Sequence, residues 1–396
     1  MNYILFDDNQ ATELYPFTMT RAVADILCGI FTMRERWSHF LNANVHILTN
    51  ASLQSLYPLE YQNDDTIYIN AAFFANMPLT EEILALERNE VLLNAQQEVI
   101  AIRVATPLEN IDELYNVIAS AIPKLYTQET YSIRKPWDIF KLNDFAIRSD
   151  FDVIQVQSYS QKLPDYVTVV GSKEDIFVAP GAILSPCILN VTSGPIYIGE
   201  EAEIMDGAIV RGPFALKSHG VLKMGAKVYG ATTIGEGSKV GGEVNNIVVF
   251  NNSNKGHDGF LGNAVVGEWC NLGADTNCSN LKNNYDEVKV WNIKKGALER
   301  TGLQFCGLLM GDHSKCGINT MFNTGTVVGV SANIFGAGFP DKYIPSFTWG
   351  GVEKSTIYKF DKACETANRM MARRGKQLSE AEITILQTIY QQEINN

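Results

Sequence analysis

His257 is the residue whose type and setting most directly invite chemistry. It stands in Gly256-His257-Asp258-Gly259, the end of a polar run that begins at Asn251. An imidazole with an ordinary pKa of ~6.5 takes and returns a proton near working pH. The flanking glycines would let a backbone approach a small molecule closely. By position alone, however, a histidine in a polar loop is simply a surface residue. Near the start of the chain, the apolar run Ile4-Leu5-Phe6 stops at Asp7-Asp8-Asn9-Gln10, and no glycine follows before Gly29. Chemistry on nucleotide phosphates normally uses a glycine-rich loop there, with a lysine soon after and acidic ligands for Mg²⁺.

The elements that must hold His257 follow from a repeat. Aliphatic residues fall at Ile198, Ile204, Val210, Leu216, Leu222, Val228, Ile234 and Val240, six apart every time. Four residues after most of these anchors comes a small one: Ala202, Ala208, Gly220, Ala226, Thr232, Ser238. The phase returns at Phe260, Val266, Leu272 and Cys278, and again at Met310, Cys316, Phe322, Val328 and Ile334, with Val178 and Leu184 opening the series. An ordinary sandwich strand would alternate every two residues. A period of six predicts a left-handed parallel β-helix, a triangular prism whose stacked coils bury one another's apolar faces. Two interruptions, 241–259 and 279–309, read as excursions from that frame, and loops on a rigid scaffold are where chemistry concentrates.

Residues 1–155 alternate short apolar runs with helical stretches, which suggests an α/β domain with a mainly parallel sheet. Ala22 to Leu41 and Thr80 to Asn89 read as helices, and Phe151 to Ser172 as a connecting segment. The prism is expected over 156–340. In 341–396, a helix-rich stretch from Lys359 to Arg374 precedes a capping-box-like Ser379-Glu380-Ala381-Glu382 and a second helix. Met370, Met371, Ile385 and Ile389 read as packing residues. No apolar run approaches the ~20 residues of a membrane helix, and the start lacks the basic and apolar regions of a secretory signal. Seven dispersed cysteines without a CxxC pair fit reduced thiols, so a cytoplasmic location is expected. A net charge of -12 argues against nucleic-acid binding.

The stretch Gly256-His257-Asp258-Gly259-Phe260-Leu261-Gly262-Asn263, with Asn271-Leu272-Gly273-Ala274-Asp275-Thr276 and Asn280, resembles the acetyltransferase half of a bifunctional family. That family comprises the glucosamine-1-phosphate N-acetyltransferase / N-acetylglucosamine-1-phosphate uridyltransferases. Gly212-Pro213-Phe214-Ala215 resembles one of its turns, while Leu14 to Arg21 and Phe31 to Trp37 characterise a divergent branch. The resemblance implies an α/β nucleotidyltransferase-like (Rossmann-like) domain before the β-helix, with His257 as catalytic base. It places Asn271 and Asn280 at sugar-binding positions, where an amide both donates to and accepts from hydroxyls. It also implies acetyl-CoA as donor, a sugar phosphate and a nucleotide as partners, Mg²⁺ if the first domain is active, and a homotrimer. The expected activity is N-acetylation of a sugar phosphate, coupled to nucleotidyl transfer that makes a UDP- or dTDP-activated amino sugar for cell-envelope polysaccharide.

Several positions depart from the family pattern. Phe260 stands where a tyrosine is usual, and Ser218 and Gly230 replace two basic residues that hold the acceptor's phosphate. Arg211, Lys217 or Lys255 are candidates to substitute, and these departures leave the identity of the acceptor open. Arg21 keeps the arginine of an arginine-proline-lysine pattern, but Ala22 and Val23 replace its partners. Asn70 stands where a magnesium-binding aspartate would be. Asp7, Asp8 and Arg21 are the remaining nucleotide-site candidates. An alternative is an acetyltransferase prism carrying a catalytically silent first domain as scaffold or regulator. A zinc-dependent carbonic anhydrase prism is a weaker one, because His219, His257 and His313 lack the close spacing of its ligands.

Overall fold

The computed structural model describes residues 1–61, 64–157 and 159–395. The chain divides into two compact units: one of Met1–Leu14, Thr20–Ile26 and Phe31–Arg134, the other of Tyr15–Met19, Leu27–Ile30 and Lys135–Asn396.

The first unit is a six-stranded sheet of β1 (Asn2–Phe6), β2 (His46–Leu48), β3 (Thr66–Asn70), β4 (Glu90–Leu93), β5 (Val99–Val104) and β6 (Ile122–Leu125), in the order β2-β1-β3-β5-β4-β6. It is mixed, with three of its five pairings parallel. β1 runs parallel to β2 and β3, and β4 to β6, but β5 is antiparallel to both its neighbours. The cause is the short connection from β4 to β5, closed by the Asn94 N–H on the Glu98 carbonyl at 3.0 Å. A parallel crossover needs a dozen or more residues. Ile4, Phe6, Leu48, Tyr68, Val91 and Ile102 form the core of this sheet.

Three helices accompany it: α1 (Met33–Leu41), α2 (Met77–Leu84) and α3 (Ile111–Ser120). The expected helix over Ala22 to Leu41 is confined to its second half. Gly29 takes φ +84, and Thr32 starts α1 with a capping box to Glu35. The helix expected from Thr80 begins earlier, because Asn76 caps α2 and Pro78 occupies its first turn.

The second unit opens with α4 (Asp138–Lys141) and α5 (Asn143–Gln157), so the start of the stretch read as a connecting segment is helical. Residue 158 of that stretch lies outside the described residues. A β-solenoid follows. On one of its faces the strands Ile183–Leu184, Glu203–Ile204, Val221–Leu222, Lys239–Val240, Asn254–Lys255, Asn271–Leu272, Lys315–Cys316, Asn333–Ile334 and Thr348–Gly350 stack in chain order, all parallel. All eight anchors from Ile198 to Val240 are buried in its core, together with Cys270, Cys278 and Cys316. The small positions earn their size: Ser238 Oγ donates to the Phe250 carbonyl and accepts from the Ser253 N–H, at 2.6 and 2.8 Å, inside the turn.

The two interruptions differ. The first is no excursion, for Asn254–Lys255 sits in register between Lys239–Val240 and the next coil. The phase looks broken because Lys255 occupies an anchor position. It also shortens there: Val244 pairs with Leu261 and Val249 with Val266, so Leu261 points inward and Phe260, expected as an anchor, is only half-buried. Left-handed Asn246 (φ 54) and Asn263 (φ 47) make the tightened corner. The second interruption does leave the frame, as an antiparallel hairpin of Lys289–Asn292 and Ala297–Arg300. Its Trp291 stacks on Tyr343 with ring centroids 5.2 Å apart.

Two helices complete the unit, α6 (Phe360–Ala372) and α7 (Glu380–Asn395). Ser379 and Glu382 cap α7 reciprocally, as their spacing predicts. Met371, Ile385 and Ile389 are buried. Among the described residues no helix is long and apolar enough to cross a membrane.

Candidate functional site

Where the strand Asn254–Lys255 ends, the chain turns through Gly256-His257-Asp258-Gly259 onto the next face of the solenoid. The turn presses on the following coil. A Cβ on Gly259 (φ +115) would lie 2.2 Å from the Thr276 carbonyl oxygen, and the Asp275 N–H donates to the Asp258 carbonyl at 3.1 Å. Above Gly256, by contrast, a Cβ would meet nothing within 4 Å. The His257 side chain is exposed beside that opening.

His257 and Asn271 line one groove of about 540 Å³, with Lys223, Lys239, Asn254, Leu272, Ile318 and Met370. Arg373 and Arg374, just past α6, complete it. One wall is a ladder of positions that immediately precede the buried anchors: Lys239 pairs with Asn254, and Asn254 with Asn271. Neighbouring strands lie about 4.8 Å apart, so these side chains form a continuous polar row. Arg374 is fixed in place by its Nη2, which donates to the Gly237 carbonyl at 2.9 Å, and by the Trp269 ring, 5.5 Å from its guanidinium carbon. Burial pulls its pKa below the usual arginine value. Four cationic groups and one imidazole thus face a single cleft, a setting suited to an anionic ligand.

The remaining solenoid residues singled out from sequence lie elsewhere. Asn280 is buried, with its Nδ2 donating to Asn263 Oδ1 at 2.8 Å. Phe260 lies beside it across Gly262, whose Cβ would fall 2.6 Å from Asn280 Nδ2 and 2.7 Å from Phe260 Cζ. Neither lines the groove with His257. Lys255 is buried inside the coil, its Nζ 2.6 Å from the His257 carbonyl oxygen. Exposed Arg211 and half-buried Lys217 both lie outside the groove. The cations that do reach the cleft, Lys223, Lys239, Arg373 and Arg374, were missed. Reading the repeat for outward positions beside each anchor would have found the two lysines.

In the first unit, Asp7 and Asp8 follow β1, whose parallel neighbours place them at the carboxyl edge of the sheet, where α/β folds bind ligands. Asp7 accepts from the Val23 N–H at 3.0 Å and the Thr49 hydroxyl at 2.6 Å. Burial raises its pKa to about 7 despite those bonds. Asp8 Oδ2 accepts from Arg134 Nη1 at 2.6 Å and from Asn70 Nδ2 at 2.8 Å. Glu98 lies 3.2 Å from the same guanidinium. Arg21 is buried, within the electrostatic influence of Asp25 and Tyr57. These donors do not fit Mg²⁺: Asp8 is already neutralised by Arg134, and Asn70 turns an amide N–H rather than an oxygen toward it. Among the described residues no cluster of three or more acidic, histidine or cysteine side chains is close enough to hold a metal.

Residues 3–158 match the family of sugar nucleotidyl transferases. A stretch similar to that family is thus followed in this chain by a β-solenoid. The chain is distantly homologous to bifunctional enzymes of that build. A bifunctional sugar-1-phosphate nucleotidylyltransferase/acetyltransferase of Sulfurisphaera tokodaii is 28% identical over 206 residues, 51% of this chain and 44% of that one. The bifunctional protein GlmU of Methanocaldococcus jannaschii is 33% identical over 119 residues, 30% of this chain and 27% of its own length. A putative uncharacterized acetyltransferase of Escherichia coli, YaiX, is 24% identical over 48% of this chain and 80% of that one. This chain therefore spans less than half the length of the first two relatives.

Proposed function

We propose that the solenoid transfers the acetyl group of acetyl-CoA to the amino group of a phosphorylated sugar, with His257 as general base. The observation that carries this reading is the shared groove, which sets His257 and Asn271 among Lys223, Lys239, Arg373 and Arg374. The imidazole removes a proton from the amine as nitrogen attacks the thioester carbonyl. A C–N bond forms, the C–S bond breaks as the tetrahedral oxyanion collapses, and the proton passes from imidazolium to the departing thiolate. Asn271 holds a sugar hydroxyl, and the cations hold the phosphates of acceptor and donor. Asn280 and Phe260 support the neighbouring corner in this reading. The homotrimer and the cytoplasmic substrates that the resemblance implies belong to the same reading.

For the first unit we propose nucleotidyl transfer, which the match to sugar nucleotidyl transferases supports; a UDP- or dTDP-sugar for envelope polysaccharide is the product the resemblance implies. The occupied carboxylate of Asp8 favours a second reading, in which this unit binds a nucleotide without turning it over. Two assays on the full chain test these readings. Release of free CoA is followed over a panel of amino-sugar phosphates, and pyrophosphate exchange is followed with UTP and dTTP in the presence of Mg²⁺. CoA release with no panel member overturns the acetyltransfer reading. Exchange above background overturns the silent one.

A further inference from the structure

Along the face that carries the groove, the inward positions of successive coils are Leu184, Ile204, Leu222, Val240, Lys255, Leu272, Cys316 and Ile334. Seven are apolar or thiol side chains of the core, and the eighth is a lysine only 2% exposed. Burying an ammonium in such a column is costly unless its donors are used. The long stem fills the space an aliphatic anchor would take, and Nζ donates to the His257 carbonyl at 2.6 Å. That bond spans only two residues, so it closes the turn on itself from inside. The charged or titratable groups facing the ammonium are Asp258 on the same turn and Asp275 and Cys316 on later coils; burial outweighs them and draws the pKa of Lys255 down to about 8.

We propose that Lys255 is a positioning residue whose buried ammonium clamps the His257 carbonyl and thereby sets the direction of the imidazole at the groove. The role rests on the acetyltransfer reading only for its catalytic consequence; the clamp itself is a property of the turn. Above His257 the groove is open and beneath it the Gly259 side is pressed on Thr276, so the carbonyl bond holds the middle of the turn. Without it, two glycines leave His257 free to swing. An aliphatic residue at 255 would pack better and position worse.

The test compares Lys255→Met and Lys255→Gln with the parent chain. Methionine matches the stem and suits the apolar column; glutamine keeps an N–H donor without the charge. The expected result for Lys255→Met is a Tm at pH 7 no lower than the parent's, kcat reduced by roughly tenfold or more, and KM for acetyl-CoA within about twofold. Lys255→Gln recovers part of kcat. Hydrogen exchange of amides 256–260 is faster in Lys255→Met. A kcat at the parent level in Lys255→Met, or a loss of kcat that merely follows a fallen Tm, overturns the proposal. If the parent acetylates no amino-sugar phosphate, the acetyltransfer reading fails by itself, and exchange alone then decides: faster with Tm kept supports the clamp, unchanged exchange sinks it.

Discussion

Arg134 donates from Nη1 to Asp8 Oδ2 at 2.6 Å, and the two residues are 126 positions apart in the chain. Both side chains are about 15% exposed, so the pair is largely shielded from water. Arg134→Met would leave the Asp8 carboxylate in that setting with only neutral donors, the Asn70 amide and the Gln10 N–H. Removing one partner of a buried pair is expected to cost roughly 2–4 kcal/mol. The double variant Asp8→Asn/Arg134→Met should recover most of that loss. Urea unfolding of the four chains of this cycle measures it, and a single variant as stable as the parent would contradict the shielding.

Asp7 gives the first unit a pH signature. Its folded pKa, raised to about 7 by burial, lies above the ordinary value of 3.8. The fold thus favours the protonated acid: its stabilising contribution is full below pH 3.8 and is lost as pH rises through about 7. Asp7→Asn should accordingly be more stable than the parent at pH 8, by up to about 4 kcal/mol. The difference should shrink toward zero near pH 4. Tm measured across that range for both chains tests it, and parallel curves would show that Asp7 is not buried as an acid.

His257→Ala should lower kcat of acetyl transfer by roughly 10²–10⁴-fold. Binding of acetyl-CoA should change little if, as proposed, the imidazole acts on the amine. Release of free CoA and equilibrium binding, measured on the same preparation, separate the two effects. A variant that keeps most of its rate rules out the base assignment.

The groove cations should act on affinity instead. Arg373→Ala with Lys239→Ala is expected to raise KM for a phosphorylated acceptor or for acetyl-CoA by about tenfold or more, with fold stability unchanged at these exposed positions. The KM of the parent should rise with salt more steeply than that of the double variant. Equal salt slopes would place the phosphates elsewhere.

The anchors from Ile198 to Val240 were legible because each aliphatic residue reports its inward position without help from the rest of the fold. Lys255 was not, since a lysine at an anchor breaks the apolar count and makes a regular coil look like a loop. Phe260 misled for a different reason: Leu261 is as apolar, and only the five-residue spacing from Leu261 to Val266 decides which points inward. The family resemblance paired His257 with both Asn271 and Asn280, and of the two asparagines only Asn271 shares the groove with it. Arg373 and Arg374 could not be added, because the path that returns the segment after α6 to Gly237 and Trp269 is set by tertiary packing. The β4–β5 pairing was missed through a similar limit, as only the length of the connection hinted at its direction.

The attachment of Arg374 to Gly237 and Trp269 has a consequence for how such a molecule can diversify. His257 and Asn271 belong to coils that pair with the layers on either side of them. The two arginines sit after a helix that leans on the prism from outside, and exchanging that segment would leave the layers untouched. Under the proposed acetyltransfer, the cations that meet the acceptor could therefore be exchanged without disturbing the turn that carries His257.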